Sequence, residues 1–333
     1  MKKEIGILII AGILLCGCGR SFDVIQKEIS TENTGIGKSS TESGKVGQET
    51  SDADCKTNGS SAGNKADGEF ENQEDSSAEP EPEILDFVDV YGESYQTVIH
   101  PDVEKHTYDL DAFSRNGNAA AYSGDERYTY RLGIDVSYHQ GSVNWEKVKA
   151  AGFDFAFLRI GYRGYGKEGS ICLDKQFFQN IKGAKAAGID TGVYFFSQAV
   201  NEDEAREEAE FVLEQLKGYE LQLPIVYDPE SILDEEARTD NVTGEQFTKN
   251  TIVFCELVKA AGYQPMIYSN MLWEAFQYDL KQLAEYPIWY ADYEPLPQTP
   301  YQFEFWQYTN TASIDGIDGA IDLNIQLIPA DEM

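Results

Sequence analysis

Histidine is scarce in this chain: the 333 residues hold three, His100, His106 and His139. So few imidazoles nearly exclude a histidine-built metal centre. The five cysteines (16, 18, 55, 172 and 255) are too few and too scattered for a disulfide scaffold. Cys172 and Cys255 remain a possible pair in an exported protein, although Cys255 sits in an apolar helical stretch and reads as a core thiol. Lysine and arginine number 26 against 58 aspartates and glutamates, a net charge of −32. Phosphate backbones are bound by basic side chains, so the balance argues against a nucleic-acid partner and against adhesion to anionic lipid by charge alone. Residues 131–333 alone carry −18, and only the first eighteen residues are net positive. No basic patch hides in the average.

The chain begins like an export signal. Lys2 and Lys3 precede an apolar run from Ile5 to Leu15, far shorter than the roughly 20 residues that span a bilayer. The run ends in Leu15-Cys16-Gly17-Cys18, similar to a bacterial lipobox, in which the last cysteine carries the lipid. Cys18 is therefore the expected lipidation site, with residues 1–18 as a lipoprotein signal cleaved before it. Residues 19–83 are Ser, Gly, Thr, Glu, Asp and Asn with almost no large apolar side chains. Such a stretch buries too little surface to offset its conformational entropy and is expected to be a disordered acidic tether, with Cys55 an unpaired thiol. Residues 84–130 read as a small extension packed on the main domain, opening with an edge strand over Ile84–Tyr91 where apolar and acidic residues alternate.

From Arg131 short apolar runs alternate with amphipathic segments. Strands are expected over Leu132–Ser137, Phe155–Ile160, Gly192–Phe196, Pro224–Tyr227, Pro265–Ser269, Ile288–Ala291, Phe305–Tyr308 and Ala320–Leu323. Asn201 to Glu204 is a capping-box pattern, followed at helical spacing by Ala205, Ala209, Val212, Leu213 and Leu216, with Gly218 as the stop. Thr243 to Gln246 opens another helix, lined by Phe247, Phe254, Leu257, Val258 and Ala261 and closed by Gly262. Eight strands in about 200 residues predict an α/β fold, a closed parallel barrel of TIM type with fewer than eight helices, because the last connections are short. An open doubly wound sheet is disfavoured, since no glycine-rich turn follows the first strand.

The informative acids fall where these strands end: Asp135 in the first, Asp228 and Glu230 after the fourth, Asp292 after the sixth, Asp322 in the last. Strand C-termini of a parallel barrel open on one face, so acids far apart in sequence converge there. Asp228 and Glu230, two apart in extended chain, project to one side with α-carbons about 6.5–7 Å apart. Carboxylates that close do not both ionise freely, and glycoside hydrolysis needs one that keeps its proton.

Gly133-Ile-Asp-Val-Ser-Tyr-His-Gln-Gly141, Val143-Asn-Trp145, Phe155-Ala-Phe-Leu-Arg-Ile-Gly161, Gly192-Val-Tyr-Phe-Phe196, Asp228-x-Glu230, Ile288-Trp-Tyr-Ala291, Trp306-Gln-Tyr308 and Ile321-Asp-Leu-Asn324 together resemble glycoside hydrolase family 25, the Chalaropsis-type lysozymes. The resemblance covers about residues 131–329. It implies an irregular eight-stranded barrel that hydrolyses the β-1,4 bond between N-acetylmuramic acid and N-acetylglucosamine of peptidoglycan. By the same resemblance, Glu230 is the general acid/base, Asp228 supports the substrate's 2-acetamido group, and Asp135 and Asp322 complete the acidic floor. Pro229 between the two acids departs from the family's usual residue, and as a proline it is tolerated only beyond the last ladder bond.

Tyr194, Phe196, Tyr268, Trp289, Trp306 and Tyr308 suit a sugar cleft, offering flat faces to C–H groups and polar tips for hydrogen bonds. Trp289 and Trp306 are the preferred cleft residues, and Asp292 is a further expected substrate contact; Trp145 reads as a packing residue at a helix start. Arg159, within an apolar strand, is expected to pair with an acid. His139 lacks a nucleophile partner and is given a structural or substrate-contact role. No cofactor or metal is called for. The expected product is a monomeric lysozyme, lipid-anchored to the membrane and facing the cell wall, with peptidoglycan glycan strands as its partner. The alternatives are a decayed wall-binding barrel and, more remotely, a divalent-metal hydrolase.

Overall fold

The computed structural model describes residues 81–232 and 236–332. The signal, Cys18, Cys55 and the tether up to residue 80 lie outside the described residues. Two antiparallel hairpins come first: β1 (Ile84–Val88) with β2 (Ser94–Val98), and β3 (Phe113–Asn116) with β4 (Ala119–Tyr122). The main sheet follows, in chain order β5 (Tyr128–Val136), β6 (Phe155–Arg163), β7 (Ile171–Leu173), β8 (Asp190–Ser197), β9 (Ile225–Pro229), β10 (Pro265–Asn270), β11 (Ile288–Ala291), β12 (Phe305–Ala312) and β13 (Ile321–Pro329). Five α-helices are interleaved among the described residues: α1 (Trp145–Ala150), α2 (Phe177–Ala186), α3 (Glu202–Gln215), α4 (Gly244–Ala260) and α5 (Met271–Phe276).

Eight of these strands close into a barrel. Pairing runs in parallel from β5 through β6, β8, β9, β10 and β11 to β12, and β13 closes the ring between β12 and β5; β7 is a side arm on β6. All eight expected strands are present, but β13 runs antiparallel to both neighbours. The cause is its connection. Residues 313–320 are enough for a hairpin, whereas a parallel return needs a crossover of roughly a dozen residues or more.

The helix starts follow their caps. Asn201 accepts from the Glu204 amide and Thr243 from that of Gln246. Neither cap is reciprocated as a full box: Glu204 turns back to the Val200 amide, and Gln246 bonds Asn250. Gly218 and Gly262 sit just past α3 and α4 at φ of 86° and 87°, where a side chain would be strained. Ala261, expected on the buried face of α4, is its exposed C-cap.

Strand alternation divides the core in two. Phe155, Phe157, Val226, Met266, Tyr268, Trp289 and Phe305 fill the barrel interior, while Phe195, Tyr227 and Tyr290 face outward into the larger shell beneath helices and extension. Gly133 and Gly192 are small for a reason: a Cβ there would lie 2.2 Å and 2.6 Å from the rings of Phe155 and Phe157.

The extension is packed on this outer shell. Phe87 and Tyr95 meet Phe276 of α5, Tyr108 meets Phe303, and Phe113 stands edge-on to Trp306 with ring centres 5.2 Å apart. Cys172 and Cys255 are both free thiols, so the pairing left open by the sequence does not form.

Candidate active site

Asp135 is near the C-terminal end of β5, and Asp322 near the start of β13. Because β13 is antiparallel, its first residues lie at the same barrel end as the last residues of β5, and the two aspartates are direct cross-strand partners. Like charges placed opposite each other repel, and burial adds to the cost. Asp322 is held well above the usual carboxylate range by burial and then by the Asp135 charge. Asp135 is also pushed up by burial, but two amides oppose it: Gln307 Nε2 and Asn324 Nδ2 donate to its Oδ2 at 2.9 and 2.8 Å. The proton between them therefore rests on Asp322.

These amides are themselves oriented. Trp289 Nε1 donates to Asn324 Oδ1 at 2.7 Å, and the hydroxyls of Tyr268 and Tyr293 donate to Gln307 Oε1 at 3.0 and 2.9 Å. With each amide oxygen taken as acceptor, each NH2 must point at Asp135. Neither amide nor Tyr293 was singled out from the sequence. The available signal was spacing: Gln307 and Asn324 stand two residues after the interior Phe305 and Asp322.

The second carboxyl pair sits across the same mouth. Asp228 is buried at the end of β9 and Glu230 follows the strand, half-buried and open to solvent. Pro229 is the last residue of β9, paired with Ser197 of β8 and lying beyond the rungs shared with β10. The missing N–H therefore interrupts no interior ladder. The two carboxyls hydrogen-bond each other; burial and then the Glu230 charge hold Asp228 well above its ordinary value. Burial and the Asp135 charge push Glu230 up to about 7, with Arg159 opposing. Asp135 acts electrostatically on the other three acids, and Glu230 on Asp228 and Asp322, so the four lie together at one barrel mouth. Tyr194 lies among them, its hydroxyl pushed up by burial while Arg159 opposes. Phe196 is in register with Asp228 on the neighbouring strand.

Arg159 does pair with an acid, though not with one of these four. Its Nε donates to Asp174 Oδ2 at 3.0 Å, and its guanidinium lies over Tyr138 and Tyr162. His139 stacks on Tyr138, and burial lowers its pKa. Two buried atoms of the region, Asp228 Oδ1 and Arg159 Nη2, have no hydrogen-bond partner among the described residues. Unpaired buried groups are rare, and at a mouth they suit a ligand's polar atoms.

Four residues assigned to substrate from sequence are placed elsewhere. Trp289 points inward but deep, 1% exposed and stacked on Phe157, so it forms the floor under the acids. Trp306 is one residue out of phase with the interior Phe305 and Gln307; it faces outward beneath Phe113 and Arg115. Tyr308 shares that face and donates to Asn118 O. Asp292 turns into its own loop, accepting from Tyr290 Oη, the Glu294 and Gln298 amides and Gln298 Nε2. Tyr268 stands inside the barrel beside Trp289, 8% exposed.

The sequence pattern described as "Glycosyl hydrolases family 25" matches residues 134–317, more than half of the chain. The chain belongs to glycosyl hydrolase family 25. Lysozyme M1 of Streptomyces globisporus is 28% identical over 201 residues, covering 58% of this chain and 66% of that protein, just under two thirds of its length. A family 25 glycosyl hydrolase structure from Bacillus anthracis superimposes with a TM-score of 0.52 at 25% identity, covering 66% of this chain and 97% of that one. The modular autolysin LytC of Streptococcus pneumoniae, solved with a synthetic peptidoglycan ligand, gives a TM-score of 0.53 at 25% identity, covering 73% and 56%. The eight-stranded barrel is thus the glycoside hydrolase domain of this family 25 chain, and residues 84–133 precede the matched region.

Proposed function

We propose that the chain is an exported muramidase that cleaves the β-1,4 bond between N-acetylmuramic acid and N-acetylglucosamine. The observation carrying this reading is the pocket where Asp135, Asp228, Glu230 and Asp322 meet, with Glu230 half-open to solvent and titrating near neutrality. Family membership and the peptidoglycan-bound relative support the choice of glycan.

The chemistry follows from where the proton sits. In the resting site Asp228 and Glu230 share one. An acetamide N–H donated to the unpartnered Asp228 Oδ1 stabilises the charged form of Asp228 and leaves the proton on Glu230. Glu230 then protonates the glycosidic oxygen as the bond to the anomeric carbon breaks, and the acetamido oxygen attacks that carbon to give a cyclic cation. Water adds to this carbon, its proton returns to Glu230, and the acetamide is released. Asp135 and Asp322, with their proton on Asp322, shape the floor with one charge rather than two.

Export rests on the signal-like start, with Cys18 as the lipid attachment and residues 19–83 as the reach toward the wall. The deciding experiment is digestion of purified peptidoglycan with mass analysis of the fragments. The expected result is muramic acid at the new reducing end, lost about 10²-fold or more in Glu230→Gln. Undiminished release by Glu230→Gln, or glucosamine at the reducing end, would defeat the reading. In fractionated cells, Cys18→Ser is expected to leave the membrane pellet; retention there refutes the anchor.

A further inference from the structure

The connection between β11 and β12, residues 292–304, carries Tyr293 to the acid pocket, where its hydroxyl bonds Gln307 Oε1 and its surroundings include Asp135, Glu230 and Asp322. This connection is gripped along its length by residues 84–115, which lie outside the matched family region. Arg115 Nη2 of β3 donates to Glu294 O at 2.8 Å, the residue after Tyr293, while its guanidinium lies 5.2 Å from the ring centres of Trp306 and Tyr308. Gln298 is clasped twice by β1: it accepts from the Val88 amide at 2.8 Å and donates to Val88 O at 2.9 Å. The same Gln298 side chain also donates to Asp292 Oδ2, closing the loop on itself. Further along, the His106 amide donates to Pro300 O, Lys105 pairs with Tyr301, and the Gln302 amide donates to Glu104 O.

We infer that the N-terminal extension is a working part of the active site: its hairpins hold the 292–304 connection so that Tyr293 stays hydrogen-bonded to Gln307 and Gln307 stays aimed at Asp135. Arg115 and Gln298 are positioning residues that act through Tyr293. The inference rests on the muramidase reading of the acid pocket for its catalytic consequence, but not for the clasp itself. A free loop of thirteen residues samples many conformers, and small misplacement of groups around reacting atoms costs rate steeply.

The test is a pair of substitutions in the full chain. Arg115→Met keeps an aliphatic cover on Trp306 and Tyr308 but loses the donor; Gln298→Ala removes the double clasp. In the double variant, exchange of the Glu294 and Gln298 amides is expected to accelerate about tenfold or more while barrel-strand amides keep their protection. On a soluble peptidoglycan fragment, kcat is expected to fall about tenfold, and the pH–rate profile to shift as Asp135 loses a stabilising amide. Gln298→Glu keeps an acceptor for the Val88 amide but sets a carboxylate against Val88 O and Asp292 Oδ2, so with Arg115 intact it is expected to lose as much rate as Gln298→Ala with Arg115 intact. Unchanged exchange of these amides would overturn the clasp, and increased exchange with unchanged kcat and pH profile would overturn its role in the site. Should the wild-type chain release no muropeptide, the function reading fails, and amide exchange alone then decides the clasp.

Discussion

Glu230 works at the edge of its own titration. Burial and the Asp135 charge raise it to about 7, and the proposed reaction requires its protonated form at the leaving oxygen beside a charged Asp228. On that mechanism activity should fall as pH rises through about 7, tenfold for each unit beyond, and fall again on the acid side once Asp228 is protonated as well. Arg159 opposes the shift, so Arg159→Met is expected to move the alkaline limb to higher pH. A kcat/KM profile flat from pH 6 to 9 would mean that another group carries the proton. At this scale the sequence was informative where chemistry coincided with position: acids at strand ends are rare enough to be read. Gln307, Asn324 and Tyr293 were not legible, because an amide's role depends on which neighbours take its oxygen, and those neighbours come from other strands. The two partners of Asp135 lie 172 and 189 residues away in the chain.

At the scale of elements, apolar runs and caps located every barrel strand, since each run is bounded by turn residues and long enough for one strand. What they did not convey was direction and phase. The antiparallel course of β13 depends on the length of one loop, and a one-residue difference in phase separates the inward Gln307 from the outward Trp306. Aromatic residues on either face look alike in a β-strand, which is why Trp306 was read as a sugar platform. Its placement under β3 predicts a different loss. Trp306→Ala should remove about 3–5 kcal/mol of stability, a fall of roughly 10 °C in melting temperature, with KM for glycan changed less than twofold. A tenfold rise in KM at unchanged melting temperature would put the ring back in the cleft.

Across the whole molecule, folding buries an unusual number of carboxyls with raised pKa values. Besides the four at the mouth, Glu208 is raised to about 7 by burial, with Ser197 and Arg163 opposing, and Glu274 to about 8 by burial. Glu274 accepts from Thr299 Oγ1, and its Oε1 has no partner among the described residues. Its carboxyl stays protonated in the fold while the unfolded chain releases that proton from about pH 4.5 upward. The unfolded state then binds fewer protons than the native state, so the sign is fixed: stability falls as pH rises from about 4.5 to about 8, and is constant above that. Each unit of difference is about 1.4 kcal/mol, and several such groups act in the same direction. The melting temperature should thus be highest in mildly acidic buffer and decline toward pH 8, a direction that repulsion within the chain's net −32 charge reinforces. Glu274→Gln keeps an acceptor for Thr299 and has nothing to titrate, so it should gain stability at pH 8, little at pH 4.5, and flatten the decline between them. Parallel pH–melting curves for the variant and the parent protein would show that Glu274 is ionised in the fold. The Thr299 contact would then be a hydrogen bond to a carboxylate rather than to a neutral acid, and the decline would belong to Glu208 and the acids of the mouth.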